Sequence, residues 1–494
     1  MLKQGIELNK PIKIGWSREG EPIPKKGEMG LAPGLPKNGR IRILGELGSM
    51  NAILCQGGAF SLEGSAKDFH AAWNNGGTHI VERKVGENLG HGMVAGKIIA
   101  RDGCDKFAGS SMEGGLLIIR GNAGPHLGAG MKGGTILVTG DVGNSVGTRM
   151  TGGRILVSGR CPKPGEGAQI TALSEHEIDE FNKNLDDDLL NISKDIICII
   201  SDKSVDKSST KPVKKYTGNW DDITIVPDIN SRKLVEGQEL DTLLIIGGEN
   251  IEGMDDTVET IGLEQPFIIK SNKSIKSLTS IVSSKPSEKD LLLINSDNIN
   301  LIHNHIFNCA GIVIDLSSLP NMNSESLDGL LISLRALSKR LIPILIKDGL
   351  NRVNNLHYLG KNHFVQGVIV NLEDFSGLHA ASSLPKIGRS IIESKIDRSA
   401  CPTFLQVPWQ ASAKDIIIAK GCGIDAIIST MENNTIEDLN LMNRELRGWL
   451  EELGIDSIEK VERKHLRANS YESSTMSGIR LAGFERALPM WFSQ

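Results

Sequence analysis

The 494-residue sequence has little of several features that would place it in a specialised class of proteins. Aromatic residues make up only 4% of it, the formal net charge is −5 and no basic stripe stands out, which argues against a nucleic-acid-binding protein. No apolar run approaches the length of a membrane span, and the N-terminal residues MLKQGIELNK lack the apolar core of a signal peptide. We therefore expect a cytoplasmic protein of two or three domains.

Cysteine is scattered through the chain. The seven cysteines lie at positions 55, 104, 161, 198, 309, 401 and 422. An odd number of widely separated cysteines predicts free thiols in a reducing compartment, and no pair has the spacing that a zinc or iron–sulfur site needs. We accordingly predict no metal site, and we expect Cys422 to be a small buried residue rather than a nucleophile.

Glycine is abundant, with 55 residues, and it marks a repeat in the first third of the chain. Met93, Met112, Met131 and Met150 are each 19 residues apart, and glycines keep the same step. Six copies are recognisable, and the clearest carry the apolar runs Ile98-Ile99-Ala100, Leu117-Ile118-Ile119, Ile136-Leu137-Val138 and Ile155-Leu156-Val157. A nucleotide-binding loop occurs once, so a recurring pattern favours a solenoid of stacked strands and glycine turns.

This repeat predicts that residues 1–170 form a single-stranded, right-handed parallel β-helix. Successive residues of a strand point to opposite faces, so both faces need cover, one from the coil interior and one from a segment packed outside. Residues 171–219 follow two prolines and are predicted to hold an acidic helix from Glu175 to Leu190 and a strand near Ile196–Ile200. The Lys- and Ser-rich stretch 202–216 is predicted to be an exposed linker, and Asp186–Asp188 a solvated helix surface.

Residues 220–494 show a different pattern, in which apolar runs of strand length alternate with helix-length segments such as Ser324–Lys339. The runs are Leu243–Ile246, Phe267–Ile269, Leu291–Ile294, Ile312–Ile314, Ile342–Ile346, Val368–Val370, Phe404–Val407 and Ala426–Ile428. Eight such strands predict a (β/α)₈ TIM-like barrel, with an open doubly wound sheet as the competing fold. The last long helix is marked by a capping box at Thr435 and Asp438 and by Gly454 at its end.

Both halves resemble one family. The glycine repeat resembles the GXGXG domain of the glutamate synthase large subunit, which is also seen in one of the subunits of formylmethanofuran dehydrogenase. Asp221–Pro227, running on to Asp241-Thr242 and Ile246-Gly247-Gly248, resembles the entry to the glutamate synthase FMN barrel. The end of the chain resembles that family's closing segment at Glu445-Leu446-Arg447, Leu453-Gly454, Leu466-Arg467-Ala468, Tyr471-Glu472 and Ser477-Gly478-Ile479. Relative to glutamate synthase proper, the order of the two domains is reversed.

The resemblance implies an oxidoreductase barrel in which ammonia condenses with 2-oxoglutarate and reduced FMN delivers hydride to the imine. It also implies that the flavin phosphate would bind at the loops after strands 7 and 8. Asp415 and Gly423 keep the family's spacing there, and Gly423-Ile424-Asp425-Ala426 matches well. The family's other loop glycines, however, fall on Pro408, Trp409, Ala413 and Thr430. Proline has no amide hydrogen to give a phosphate, and tryptophan blocks close approach to the backbone.

Other family features are also missing. The glycine-rich segment after strand 6 is reduced to Asp374-Phe375-Ser376-Gly377, and the flavin loop after strand 1 to Ser271–Ser274. The closely spaced cysteines of the iron–sulfur cluster have no counterpart, and Leu2 stands where the glutaminase domain needs a cysteine. We therefore expect a glutamate-synthase-like protein without FMN or an iron–sulfur cluster, acting as a non-catalytic subunit or scaffold that contacts a partner or a second copy through the β-helix.

Two enzymatic alternatives remain open: a divergent FMN-dependent glutamate synthase or amidotransferase subunit with separate glutaminase and reductase chains, or a formylmethanofuran-dehydrogenase-type subunit. No catalytic residue is assigned. Lys347, at the end of strand 5, is a candidate to meet a carboxylate substrate, and the simpler alternative is an exposed strand-end lysine. His303 and His305 resemble a metal pair only superficially, since residues i and i+2 of a helix face apart, and solvated or capping roles are favoured.

Overall fold

The computed structural model describes residues 2–8, 10–16, 22–185, 190–202, 219–226, 243–250, 256–275, 278–373, 380–431, 435–486 and 488. Among them, the residues within Met1–Ser209 and Met322–Leu337 form one compact unit, and those within Thr210–Asn321 and Ser338–Gln494 form another. The predicted linker, apart from Asp202, and the run Asp186–Asp188 lie outside the described residues. The domain limits proposed at 170 and 219 stay predictions.

The first unit is built on a ten-stranded sheet. Its strands are β1 (Ile12–Ile14), β2 (Arg40–Leu44), β3 (Gln56–Glu63), β4 (Asn75–Val81), β5 (Ala95–Ala100), β6 (Leu116–Ile119), β7 (Thr135–Val138), β8 (Arg154–Val157), β9 (Ala168–Thr171) and β10 (Ile197–Ser201). Strands β1 to β8 pair in chain order and in parallel, whereas β10 runs antiparallel to both β8 and β9. The unit also contains helices α1 (Leu2–Glu7) and α2 (Glu175–Leu185).

The 19-residue repeat sets the register of this sheet. Leu117 faces Ile98 on one side and Ile136 on the other, and Ile136 faces Ile155. A repeated glycine permits the close stacking: Gly134 has φ +82°, and a Cβ there would lie 2.8 Å from the carbonyl carbon of Gly114 in the preceding copy. Each of the six copies therefore contributes one strand, as predicted.

Both faces of the sheet are covered, as the alternation of apolar residues predicted. One face carries a continuous core that includes Leu117, Ile136 and Ile155. The other carries Ile118, Leu137 and Leu156 together with Ile178, Phe181 and Leu185 of α2. The outside cover is thus the acidic helix, which ends at Leu185 within the described residues.

The fold class predicted for residues 1–170 was wrong. The structure has a ten-stranded, mostly parallel sheet there, closed at one edge by two antiparallel strands, in place of the predicted right-handed parallel β-helix. The physical reason is that a fixed period dictates which residues face each other across neighbouring strands. It does not by itself require the chain to wind into a coil, and a ladder of parallel strands satisfies the same register.

The second unit contains the closed eight-stranded barrel, which confirms the TIM-like half of the prediction. Its strands, all parallel, are β14 (Phe267–Lys270), β15 (Ser280–Val282), β16 (Leu291–Ile294), β17 (Gly311–Asp315), β18 (Ile344–Gly349), β19 (Val368–Asn371), β20 (Thr403–Gln406) and β21 (Ala426–Ser429). Two antiparallel pairs accompany it, β11 (Ile223–Ile225) with β22 (Leu466–Ala468) and β12 (Leu244–Ile246) with β13 (Ile261–Leu263). The open doubly wound sheet is excluded.

The later helices are α3 (Ser324–Ser338), α4 (Val353–Asn362), α5 (Ser383–Ser394), α6 (Ala413–Gly421), α7 (Ile436–Leu453) and α8 (Tyr471–Ser477). Helix α3 follows β17 in the chain, but its residues up to Leu337 group with the first unit. Helix α7 begins with the predicted capping box of Thr435 and Asp438 and ends at Gly454 in the left-handed region. None of the helices in the described part of the chain combines the length and apolar character that a bilayer crossing requires.

Candidate functional site

The carboxyl end of the barrel interior is polar. Ile268, Val313, Leu345, Ile369 and Phe404 belong to the core inside the barrel. Side chains two positions apart on a strand share a face, so the next residues on the same side form an inward layer at the carboxyl ends of the strands. That layer consists of Lys270, Asp315, Lys347, Asn371 and Gln406. This is the end at which TIM-barrel enzymes place their functional groups.

One charged network in this layer joins three strands. Lys270 Nζ, at the end of the first barrel strand, lies 2.6 and 2.5 Å from the two carboxylate oxygens of Glu373, which follows the sixth. Gln406, at the end of the seventh strand, donates from Nε2 to the same carboxylate over 2.8 Å. The side chains of Lys270 and Glu373 are 38% and 30% exposed, so the ion pair remains open to solvent and to small molecules.

A second ion pair in the layer is almost buried. Lys347 Nζ lies 3.3 Å from Asp315 Oδ2, and the two side chains are only 8% and 13% exposed. They face each other across neighbouring strands, the fourth and fifth of the barrel. Lys347 was predicted to follow the run Ile342–Ile346, and in the structure it lies within β18. The alternative of an exposed strand-end lysine was wrong. Its assignment as a substrate-binding group stays a prediction.

Asp348 and Arg352 lie just beyond this pair. The Asp348 carboxylate accepts a 2.7 Å hydrogen bond from the Gly349 amide and lies 3.6 Å from Arg352 Nη1. Burial raises the pKa of the Asp348 carboxyl, and the Gly349 amide and Arg352 act in the opposite direction. Two basic and two acidic side chains are therefore concentrated at the ends of strands four and five.

The loop after the seventh strand is braced to the eighth. The Val407 amide donates to the Ile428 carbonyl over 3.0 Å, and the Ala411 amide donates to Ser429 Oγ over 3.0 Å. The Ser429 hydroxyl in turn donates to the Trp409 carbonyl. Pro408 has no amide hydrogen to offer. The amides of Val407 and Ala411 are therefore committed to the strand-8 backbone and side chain.

The predicted flavin-phosphate residues are only partly brought together. Pro408 and Trp409 precede α6, where Ala413 is buried in the first turn, and Thr430 follows β21. Gly423 precedes β21 and so lies at the opposite end of that strand. The Trp409 ring packs edge-on against the buried Trp220, with 5.4 Å between ring centroids.

A flavin phosphate needs converging amide donors and a backbone that it can approach closely. The residues of this loop do not fit that requirement. Pro408 lacks a donor, the Ala411 amide already donates to Ser429 Oγ, and Trp409 has a bulky side chain where glycine would leave the backbone open. The segment predicted after strand 6, Asp374–Gly377, lies outside the described residues. After strand 1, Ser271 Oγ is engaged with the Lys273 backbone.

Two of the residues on which the resemblance rests hold backbone in place. Asp415 and Ser412 form a capping box at the start of α6. Asp425 is 4% exposed, pairs with Arg398 and accepts a 2.8 Å hydrogen bond from the Thr403 amide. Asp425 therefore ties the amino end of the eighth strand to that of the seventh.

The histidine and cysteine candidates do not converge. His303 lies in a 3₁₀ helix, Ile299–Asn304, and burial lowers its pKa. Within the described residues, no group of three His, Cys, Asp or Glu side chains is arranged to hold a metal ion. The cysteines are free thiols, and burial raises the pKa of Cys422 to about 11, as expected for a buried small residue.

Most residues of the polar layer were missed from the sequence. The signal was present, since the runs FIIK, GIVID, VIVN and TFLQ each end on a polar side chain after apolar ones. Only the register of a closed barrel shows that these ends meet at one place.

No protein-family model matches this sequence, and no curated protein matches it. Solved structures with some similarity include a variant of mandelate oxidase with 4-Br-2-hydroxy-methylphenylacetate. Its sequence identity to this chain is 12% and the TM-score is 0.34, and the match covers 50% of this chain and 88% of the mandelate oxidase chain. Mandelate oxidase with (S)-2-phenylpropionate has a TM-score of 0.33 at 12% identity and covers 49% of this chain and 85% of that one. A likeness at this level carries no inference about function.

Proposed function

We propose that this chain is a glutamate-synthase-like protein that has kept the barrel and lost the flavin, and that it acts as a non-catalytic subunit or scaffold. The observation that carries the proposal is the loop after strand 7. Pro408 and Trp409 replace the two glycines on which the resemblance places the phosphate, and Ala411 gives its amide hydrogen to Ser429. The Val407 amide is likewise engaged, and Pro408 has no amide hydrogen, so three positions of this loop offer a phosphate no backbone donor.

The glycine-rich sheet is the part of the chain that we assign to partner binding, either to another protein or to a second copy. Its function would be to position a partner rather than to react.

The test is an absorbance spectrum of the purified full-length protein before and after addition of FMN, with acid release of any bound chromophore. Fluorescence titrations with FMN and with riboflavin, which lacks the phosphate, give the affinity. We expect no stoichiometric flavin and no preference for FMN over riboflavin. A stoichiometric flavin band, or tight binding that depends on the phosphate, contradicts the proposal.

The second candidate is a divergent glutamate-forming oxidoreductase subunit that works with separate glutaminase and reductase chains. One observation favours it: Lys270 and Lys347 lie at the carboxyl end of the barrel, where a carboxylate substrate would meet them. Ammonia-dependent formation of glutamate from 2-oxoglutarate, together with copurification of a glutaminase chain, would support this candidate over the first.

A further inference from the structure

A cavity of about 550 Å³ lies in the second unit, at the end of the barrel opposite the polar layer. Its lining comes mainly from α5 and from the turn 421–423, which joins α6 to the amino end of β21. The volume is within the range of small-molecule sites. Among the described residues, none that lines this cavity belongs to the polar layer or to the loop after strand 7. The cavity is therefore separate from the candidate site described above.

Three arginines line this cavity, and two of them have no acidic partner among the described residues. Arg398 is paired with the buried Asp425. Arg463 donates from Nη2 to a backbone carbonyl and makes no ion pair within the described part of the chain, where Arg389 makes neither a hydrogen bond nor an ion pair. The acidic side chain in the described lining is that of Glu393 alone. The cavity therefore carries uncompensated positive charge, which favours an anionic ligand.

Apolar side chains lie next to these arginines. Ile392 is 77% exposed, the highest value among the large apolar residues in the described part of the chain. Pro385 and Ile391 line the same cavity. Covering such a side chain from water is favourable, and small-molecule sites commonly combine apolar walls with a few charged or polar groups. The ligand that suits both features carries a negative charge on an apolar body.

The backbone around the cavity favours a carboxylate over a phosphate. Phosphate sites commonly use free backbone amides at a helix amino terminus or in a glycine-rich turn. Here the Cys422 amide donates to the Ala419 carbonyl over 3.0 Å, and the Gly423 amide donates to the Lys420 carbonyl over 2.9 Å. These residues lie at the carboxyl end of α6, where the partial charge of the helix is negative. The guanidinium groups are therefore the principal donors, and their fork matches the two oxygens of a carboxylate.

We propose that this cavity binds a small organic carboxylate with an apolar body, through the guanidinium groups of Arg389 and Arg463 and the apolar side chains beside them. Such a site requires neither FMN nor the glycine-rich sheet. It is therefore compatible with either of the functions proposed above.

Titration calorimetry of the full-length protein with 3-phenylpropionate and hexanoate tests the proposal. The matched neutral controls are 3-phenylpropanamide and hexanamide, and acetate keeps the charge without the apolar body. We expect at least one of the two carboxylates to bind saturably, and to bind about tenfold or more tightly than both its amide and acetate. If neither carboxylate binds saturably, or if the amide binds as tightly as its acid, the proposal is overturned. Benzyl phosphate binding more tightly than 3-phenylpropionate would contradict the choice of a carboxylate.

Arg389→Met provides the protein-side test, because Arg389 is exposed on α5 and methionine removes the charge while keeping a good helix former. Arg444→Met is its control, since Arg444 is exposed on α7 and does not line the cavity. The affinity for the bound carboxylate should fall about tenfold in Arg389→Met and stay unchanged in the control. Undiminished binding by Arg389→Met, or an equal loss in both variants, contradicts the assignment. The amide and acetate comparisons keep the proposal testable if Arg389→Met fails to fold.

Discussion

Three buried histidines in the glycine-rich unit should make it sensitive to acid. His70, His79 and His91 are all less than a tenth exposed. Burial lowers the pKa of His70 to about 3 and those of His79 and His91 to about 4. His79 Nε2 lies 3.0 Å from the side-chain nitrogen Nδ2 of Asn74, and His91 Nδ1 lies 2.7 Å from Ser110 Oγ. The His70 ring makes no hydrogen bond among the described residues.

The size of the effect follows from proton linkage. An unfolded histidine takes up a proton near pH 6.5, but a folded one with a lowered pKa does not. The stability that comes from keeping these histidines neutral is therefore fully present above pH 6.5. It is lost as the pH falls from 6.5 towards the pKa of the histidine in the folded protein. For His70 the loss between pH 7 and pH 5 is about 2 kcal/mol, and for the three histidines together about 5 to 6 kcal/mol if they titrate independently. That sum is comparable with the whole stability of many domains.

His70→Phe isolates one of these contributions. The His70 ring has no hydrogen-bond partner among the described residues, and its centroid lies 5.3 Å from that of the Phe60 ring. An apolar ring therefore suits the site. Any packing cost of the larger ring is the same at both pH values and cancels in the comparison. We expect the variant to gain about 2 kcal/mol over the native protein on going from pH 7 to pH 5.

The assay is urea unfolding at pH 7 and pH 5, with hydrogen exchange of peptides covering residues 56–100 to report on the first unit alone. His176→Phe is the control, because His176 is exposed on α2 and the same substitution there should leave the pH dependence unchanged. An identical pH dependence in native protein and His70→Phe would refute the reasoning.

Two further predictions concern stability. Gly134→Ala should lower the free energy of unfolding by about 2 kcal/mol, because φ is +82° and the new Cβ would lie 2.8 Å from the preceding copy. The control, Gly448→Ala in α7, has nothing within 4 Å of the new Cβ and should be neutral or stabilising. Equal melting temperatures for the two variants would contradict this. Lys347→Met should destabilise the barrel by about 3 kcal/mol at pH 7, because it leaves the nearly buried Asp315 carboxylate without its cation. In a denaturant titration, adding Asp315→Asn should recover most of that loss. No recovery would show that the ion pair is not the cause.

The barrel could be predicted from the sequence, but not every strand of it. Eight apolar runs were identified and the barrel has eight strands, yet the two sets differ. Leu243–Ile246 is paired with β13 outside the barrel, and Ile246 joins its interior core. The missed strand, β15, has only three residues and begins with Ser280. A short apolar run does not reveal its neighbour, because pairing is decided by the closure of the whole sheet.

The candidate site was harder to predict for the same reason. Lys347 stands out in the sequence because it follows a long apolar run. Its partner Asp315 lies on another strand and meets it only through the barrel register. Lys270 and Glu373 are 103 residues apart in the chain. In the first unit, the 19-residue period predicted correctly which strands pair, but the predicted coil was wrong. A sequence period determines which residues face each other on neighbouring strands, and it does not determine the path of the chain between those strands.

The positions that agree with the resemblance and those that depart from it differ in what their side chains contact. Asp415 and Asp425 are among the residues on which the resemblance rests. Both hold backbone, at the start of α6 and between the amino ends of the last two barrel strands. Pro408 and Trp409 do not match, and they lie where the resemblance places a ligand. Under the proposal of a lost flavin, residues that hold backbone would be kept, whereas residues of the phosphate loop would be free to change. Under the same proposal, the partly exposed Lys270–Glu373 pair would still offer charged groups to a small ligand at the carboxyl end of the barrel.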